Sequence, residues 1–288
     1  MKKLLSISMI LALSFNAFAQ QAESPEKIVT TKVSFITGYA SIADHYFTNQ
    51  EFTSDGITGA AVEFGSFYKK NPNLSWKLDL IYFGAGATSS NAPVNPAGTA
   101  RLGVYDGEIQ YSTSYNWNPA KNLYLRAGGA FSLNAGANFA PDGINNVLQF
   151  ICQPQIKAVA GIKYGWDFKK MGLKLYADFG LPVMGFATVG SKYEGSYVIL
   201  NNLTPWGFLK PTINHMKFTS FHNLQGYNLD LGVDFEFRNC TFVVSVETNN
   251  KWWHAYDCQA YKKYVLVNLG FSVDLVSRSR SITNNRYF

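Results

Sequence analysis

The sequence predicts an all-β fold: a transmembrane antiparallel up-and-down β-barrel of about twelve strands, with ten as the alternative. Three observations carry this expectation. Long segments alternate large apolar and polar residues with period two, short polar turns are flanked on both sides by aromatic residues, and short connections alternate along the chain with longer ones.

The chain begins "MKKLLSISMILALSFNAFA". Lys2 and Lys3, an apolar run over 4–13 and the Ala17-Phe18-Ala19 ending make a secretory signal peptide over 1–19, followed by an N-terminal periplasmic segment over 20–29. Serines and Asn16 interrupt the run, and it is short for a membrane-spanning helix. Beyond it no segment approaches the ~18 apolar residues such a helix requires. The mature chain is thus either an exported soluble β-protein or a barrel.

The alternation appears first in "WKLDLIYF", where Trp76, Leu78, Leu80 and Tyr82 oppose Lys77 and Asp79. In "VYDGEIQYSTSYNW", Tyr105, Ile109, Tyr111, Tyr115 and Trp117 oppose Asp106, Glu108 and Gln110. "LYLRAGGAFSL" sets Leu123, Leu125, Phe131 and Leu133 against Arg126 and Ser132, and "GLKLYADFGL" sets Leu173, Leu175 and Phe179 against Lys174 and Asp178. In "YNLDLGVDFEF" the row Tyr227, Leu229, Leu231, Val233, Phe235 and Phe237 opposes Asp230, Asp234 and Glu236. "YVLVNLGFSVDL" repeats the pattern from Val265 to Leu275, with Asp274 on the polar face. Period two marks an extended chain, because successive side chains point to opposite faces. These runs of about 8 to 14 residues exceed the usual ~5 to 6 of globular strands and match the ~9 to 11 that cross a bilayer at a tilt.

The turns point the same way. "KKNPNLS" lies between Tyr68 and Trp76, "NPAKN" between Trp117 and Leu123, "KKMG" after Trp166 and Phe168, and "RNCT" between Phe237 and Phe242. Rings at both shoulders suit the headgroup level, where an apolar body and a polar tip are both satisfied. Longer connections fall near 43–57, 88–101 and 139–150 and after Pro182. A barrel with short periplasmic turns and longer external loops sorts its connections in this way. A single loop over 184–223 would be unusually long, so "GSYVIL" and "INHMKFTSF" are read as two further strands. The second of them would turn through "HNLQG" into the strand that begins at Tyr227. The barrel is placed at 30–276 and a C-terminal tail at 277–288, ending on Phe288.

Composition agrees with a lipid-facing surface. Tyr, Phe and Trp make 45 of the 288 residues and only 15% are charged, against about a quarter in soluble domains. Without Lys2 and Lys3 there are 23 basic and 19 acidic residues, a net charge of +4 that gives no case for nucleic acid. Cys152, Cys240 and Cys258 fit neither a disulfide framework nor a zinc spacing and are read as structural, so no metal and no cofactor is expected.

If the polar faces line a lumen, the alternation supplies Glu63, Asp79, Asp106, Glu108, Asp167, Asp178, Asp230, Asp234, Glu236, Glu247 and Asp274. It also supplies Lys77, Arg126, Lys157, Lys163, Lys174 and Arg238. Charges of both signs on adjoining strands of a narrow barrel pair with one another, which predicts an ion-paired plug. A small water-filled pore, weakly cation-preferring, is the alternative.

Barrel hydrolases use a His-x-Ser pair on one strand face, with the hydroxyl attacking an acyl ester and His as base. No histidine here has Ser two positions later. The reversed Ser220-Phe221-His222, followed by Asn223, is the sole candidate. On a strand these side chains lie about 6.5 Å apart, beyond a direct hydrogen bond unless they lean together. Asp44-His45 faintly resembles the acid-His pairs of barrel proteases, but it lacks a second carboxylate pair and reads as a solvated loop.

The segments "GYASIADHYFTNQEFTSDG" and "FTSFHNLQGYNLDLGVDF" and the strand end Thr248-Asn249-Asn250 resemble an outer-membrane barrel family of Bacteroides-type bacteria, known only as a domain of unknown function. The resemblance implies the outer membrane of a Gram-negative cell, contact with its lipids and insertion by the barrel-assembly machinery. It implies no reaction or ligand. The expected function is a barrel without a catalytic site, structural or a narrow diffusion pore with a charge-lined lumen. The alternatives are a lipid-facing acyl hydrolase of phospholipase or lipid A deacylase type, and a soluble β-protein presenting its loops. The oligomeric state is left open.

Overall fold

The computed structural model describes residues 29–44, 51–68, 71–89, 100–141, 148–168, 171–188, 216–237, 240–255 and 258–274. They form eleven strands: β1 (Val29–Asp44), β2 (Glu51–Tyr68), β3 (Asn71–Ser89), β4 (Ala100–Ala120), β5 (Leu123–Phe139), β6 (Leu148–Asp167), β7 (Gly172–Thr188), β8 (Met216–Ser220), β9 (Leu224–Glu236), β10 (Thr241–Ala255) and β11 (Cys258–Asp274). All pairings are antiparallel, β6 joins β7 and β1 joins β11, so the sheet closes on itself. Among the described residues closure leaves only β8 without a ladder partner on its second edge, and closed pairing is the condition for crossing hydrocarbon with strands.

The eleven strands, a number between the two counts the sequence left open, occupy ten positions around the ring. β7 pairs with β9 along its first half and with β8 along its second. In the first half Gly180 faces Asn228, so an unbroken strand would bring Leu224 opposite Met184. Met184 instead faces Ser220. β8 and β9 are therefore one strand direction interrupted by four extra residues between Ser220 and Asn228, with a turn at 221–223, and the expected reversal through "HNLQG" does not occur. "GSYVIL" lies outside the described residues.

The insertion is held locally. The Asn223 N–H donates to the Ser220 carbonyl at 3.0 Å, the Ser220 N–H to Asn223 Oδ1 at 2.8 Å and Asn223 Nδ2 to the Phe218 carbonyl at 3.1 Å. The His254 N–H reaches the Asn223 carbonyl at 2.9 Å and ties the insertion to β10. A carboxamide that bonds nearby backbone offers the chain an alternative to the ladder.

Apart from β8 the strands run 13 to 21 residues, longer than the alternation alone indicated. At one end of the barrel the connections are short. At the β4–β5 turn Asn122 adopts φ 65°, a left-handed conformation that asparagine tolerates. The opposite end carries the longer connections with one exception, since only 256–257 separate β10 from β11.

The two faces are inverted relative to a soluble protein. Phe35, Tyr82, Ile109, Phe131 and Leu231 point outward and are 49–60% exposed, whereas Lys157, Lys174, Gln153 and Gln155 point inward and are 1% exposed. Amides and ammonium groups are the residues a soluble interior excludes. Near the short-turn end, rings cluster on the outside: Tyr164 meets Trp166 edge-on at 4.6 Å, and the Tyr68 and Tyr111 hydroxyls lie 2.9 Å apart. The lumen also contains an apolar cluster that the sequence reading did not anticipate. Ile36, Ile57, Phe83, Leu102, Val104, Tyr264 and Leu266 pack together there, with the Phe83 and Tyr264 rings edge-on at 4.9 Å.

Candidate functional site

The lumen is built by side chains whose positions follow from strand register. Lys174 and Glu236, on adjoining strands near the short-turn end, lie 2.6 Å apart. One layer further in, Lys163 Nζ reaches Asp234 at 2.8 Å and sits 5.2 Å from the centre of the Tyr176 ring. Gly232 faces Tyr176 in the register. A Cβ at that position would come within 2.3 Å of the ring's Cζ, so only glycine admits the tyrosine.

Arg126 on β5 and Asp178 on β7 form a two-point pair, Nη2 to Oδ2 at 2.7 Å and Nε to Oδ1 at 3.1 Å. They are not on adjoining strands. Gly161 of β6 faces both residues and has no side chain to separate them. The guanidinium fork matches carboxylate geometry and makes this the most directional bridge of the lumen. Beside it Lys77 lies 3.3 Å from Glu63 and 3.2 Å from Asp79, and Lys32 lies 3.7 Å from Glu63.

Two β4 carboxylates collect partners from distant strands. Glu108 pairs with Lys157 of β6 and, at 3.6 Å, with Lys251 of β10. Asp106 accepts from Lys262 at 3.3 Å, Tyr264 at 2.9 Å and Asn134 at 2.7 Å. Between these layers lies a cavity of about 120 Å3 whose wall includes Asp230, Glu247, Asn228 and Asn268. Buried carboxylate and amide oxygens there, Asp230 Oδ1, Asn228 Oδ1 and Asn268 Oδ1, have no protein donor, the setting in which internal water is ordinarily held.

The structure places Glu63, Lys77, Asp79, Asp106, Glu108, Arg126, Lys157, Lys163, Lys174, Asp178, Asp230, Asp234 and Glu236 inside the ring and brings all of them into the paired network or its cavity. Asp167 departs from expectation. It has the inward parity but ends β6 at the rim, where it is exposed. Arg238, His45 and the lysine pairs of the short turns lie outside the described residues, as does the Asp274 side chain. Lys32, Lys251 and Lys262 were missed, although extending the period two of β11 back from Val265 brings Lys262 onto the inner face. Among the described residues no His, Cys, Asp and Glu group has metal-holding geometry, and Cys240 is a free thiol.

Outside the lumen, Ser220 Oγ and His222 Nδ1 lie 2.5 Å apart. The extended geometry that set them about 6.5 Å apart does not apply, because the chain turns at Ser220. Met184, Phe186, Phe218 and Phe221 are exposed around this turn. Further along the same rim a cavity of about 430 Å3 opens between the ends of β9, β10 and β11, with His222 in its wall.

An antiparallel ring that is apolar outside and ion-paired inside defines a transmembrane β-barrel. The chain belongs to the family described as protein of unknown function (DUF3316), whose model matches residues 4–279. No curated protein matches the chain. Among solved structures it is similar to the outer membrane protease OmpT from Escherichia coli at 9% identity, covering 89% of this chain and 99% of that one with a TM-score of 0.44. It is similar to Neisserial surface protein A at 9% identity, covering 86% and 96% with a TM-score of 0.33. The COG4313 outer membrane channel from Pseudomonas putida F1 is similar at 10% identity, covering 88% and 98% with a TM-score of 0.35. The words protease, surface protein and channel describe those molecules.

Proposed function

We propose that the protein is a structural barrel of the outer membrane of a Gram-negative, Bacteroides-type bacterium, closed to diffusion rather than open as a pore. Residues 1–19 direct export, the general barrel-assembly machinery inserts the chain, and the shorter connections face the periplasm. The observation that carries the closed reading is the cross-lumen set on β4, where Asp106 and Glu108 hold Lys262, Lys251 and Lys157 while the apolar cluster around Phe83 packs inside the ring beside them. Buried charges stay charged only when paired, so opening a water path would mean breaking several bridges together. Liposomes reconstituted with the protein test this reading by osmotic swelling in small sugars. Swelling at the rate of protein-free liposomes is expected, and rapid swelling would assign an open pore instead.

The 2.5 Å contact of Ser220 Oγ with His222 Nδ1 favours a second reading, a lipid-facing acyl hydrolase. Nδ1 would take the hydroxyl proton as Oγ adds to an ester carbonyl, and would return it to the departing alcohol. Water then hydrolyses the acyl-serine and regenerates the hydroxyl. Among the described residues no carboxylate is bonded to His222 to orient it, and the surrounding hydrogen bonds already serve to fold the insertion. Fatty-acid release from phospholipid or lipid A that is lost in Ser220→Ala supports this reading, and no release, or release unchanged by the substitution, ends it.

A further inference from the structure

We propose that the cavity at the rim of β9, β10 and β11 binds a neutral sugar ring. This goes beyond the closed-barrel reading and does not rest on it. The cavity, about 430 Å3, lies at the end with the longer connections. It sits above the apolar belt, because the outward row of β11 changes from Val265, Val267 and Leu269 to Lys263, Tyr261 and Gln259. Side chains here meet water and headgroups rather than acyl chains. The volume falls within the roughly 300–1,000 Å3 typical of small-molecule sites.

The chemistry of the wall selects the ligand. Trp252 and Tyr261 stack with centroids 5.1 Å apart and 25° between planes, and Trp252 remains exposed. The face of the Trp252 indole that Tyr261 does not cover suits the C–H face of a pyranose. Gln225, Gln259, His222 and His254 surround it with donors and acceptors suited to ring hydroxyls. Among the described lining residues none is Lys, Arg, Asp or Glu, so no fixed charge in this wall favours an anion over a neutral ring.

The sugar has two possible sources, a glycolipid headgroup of the facing leaflet or a free oligosaccharide. Purified protein in an amine-oxide detergent, which carries no sugar, is applied to a panel of neutral hexose oligosaccharides, and separately to phosphatidylcholine vesicles with and without glucosyl-diacylglycerol. The proposal expects saturable binding with a change in tryptophan emission. That change should be lost in Trp252→Ala and in the His254→Ala, Gln259→Ala pair, and retained in Trp117→Phe on the opposite girdle. Binding in the panel assigns a free oligosaccharide, and binding only to glycolipid vesicles assigns the headgroup. Each variant is first checked for the heat-dependent gel mobility of a folded barrel. The proposal is overturned if folded protein binds neither probe, or if binding survives Trp252→Ala, the tryptophans then being interfacial anchors only.

Discussion

Lys262 on β11 and Asp106 on β4 meet inside the lumen, Nζ to Oδ2 at 3.3 Å, although three strands separate them around the ring. Both side chains are 2% exposed. Asp106→Ala leaves the ammonium without its carboxylate and removes the acceptor of Tyr264 and Asn134. Breaking a buried pair from one side costs about 3–5 kcal/mol, whereas replacing both members by apolar groups is often neutral. Asp106→Ala should therefore lower the urea midpoint of the folded protein in lipid vesicles, and Asp106→Leu combined with Lys262→Met should recover most of the loss. Equal loss in the single and double variants would show that the bridge contributes little.

Gly232→Ala places a methyl group against the Tyr176 ring, 2.3 Å from Cζ. Overpacking of this kind costs about 1–3 kcal/mol. The same unfolding measurement should show the loss, and a further Tyr176→Leu change should relieve it. A Gly232→Ala protein as stable as the parent would mean that the ring moves aside freely.

Leu231 tests the medium around the barrel. It points outward near the middle of β9 and is 49% exposed. In water Leu231→Arg would be within about 0.5 kcal/mol of neutral, but facing acyl chains it costs about 2–4 kcal/mol at mid-bilayer. A reduced unfolding free energy in vesicles is expected, and an unchanged value would place the row in water.

The turn at 221–223 depends on the Asn223 carboxamide, which accepts from Ser220 N–H and donates to the Phe218 carbonyl. Asn223→Leu should loosen the turn at a cost of about 1–3 kcal/mol for the orphaned backbone partners. Faster amide hydrogen exchange at Ser220 and over β8 would register it. Exchange unchanged from the parent would mean that the ladder with β7 alone holds β8.

Much of the fold was legible because alternation is strict where β9 and β11 run uninterrupted, with Leu231 outward and Asp234 and Glu236 inward. The insertion was not. Ser220 and Phe221 end a segment that reads as a strand and His222 and Asn223 open one that reads as a turn, and only the register of β7 against two partners shows four extra residues in one strand direction in place of a reversal. The apolar cluster escaped for a related reason. Ile81 and Phe83 occupy the inward positions of a strand whose outward residues are also apolar, so the run "LIYF" shows no contrast. Ion pairs across the ring, such as Glu108 with Lys251, join residues far apart in sequence and become visible only when the sheet closes.

The central claim is that this ring is closed inside, and single-channel recording of the purified protein in planar lipid bilayers tests it most directly. The account predicts a baseline without discrete current steps for the parent protein. It also predicts the appearance of steps when Phe83, Lys251 and Lys262 are together replaced by alanine. Stable unitary steps from the parent protein would contradict it.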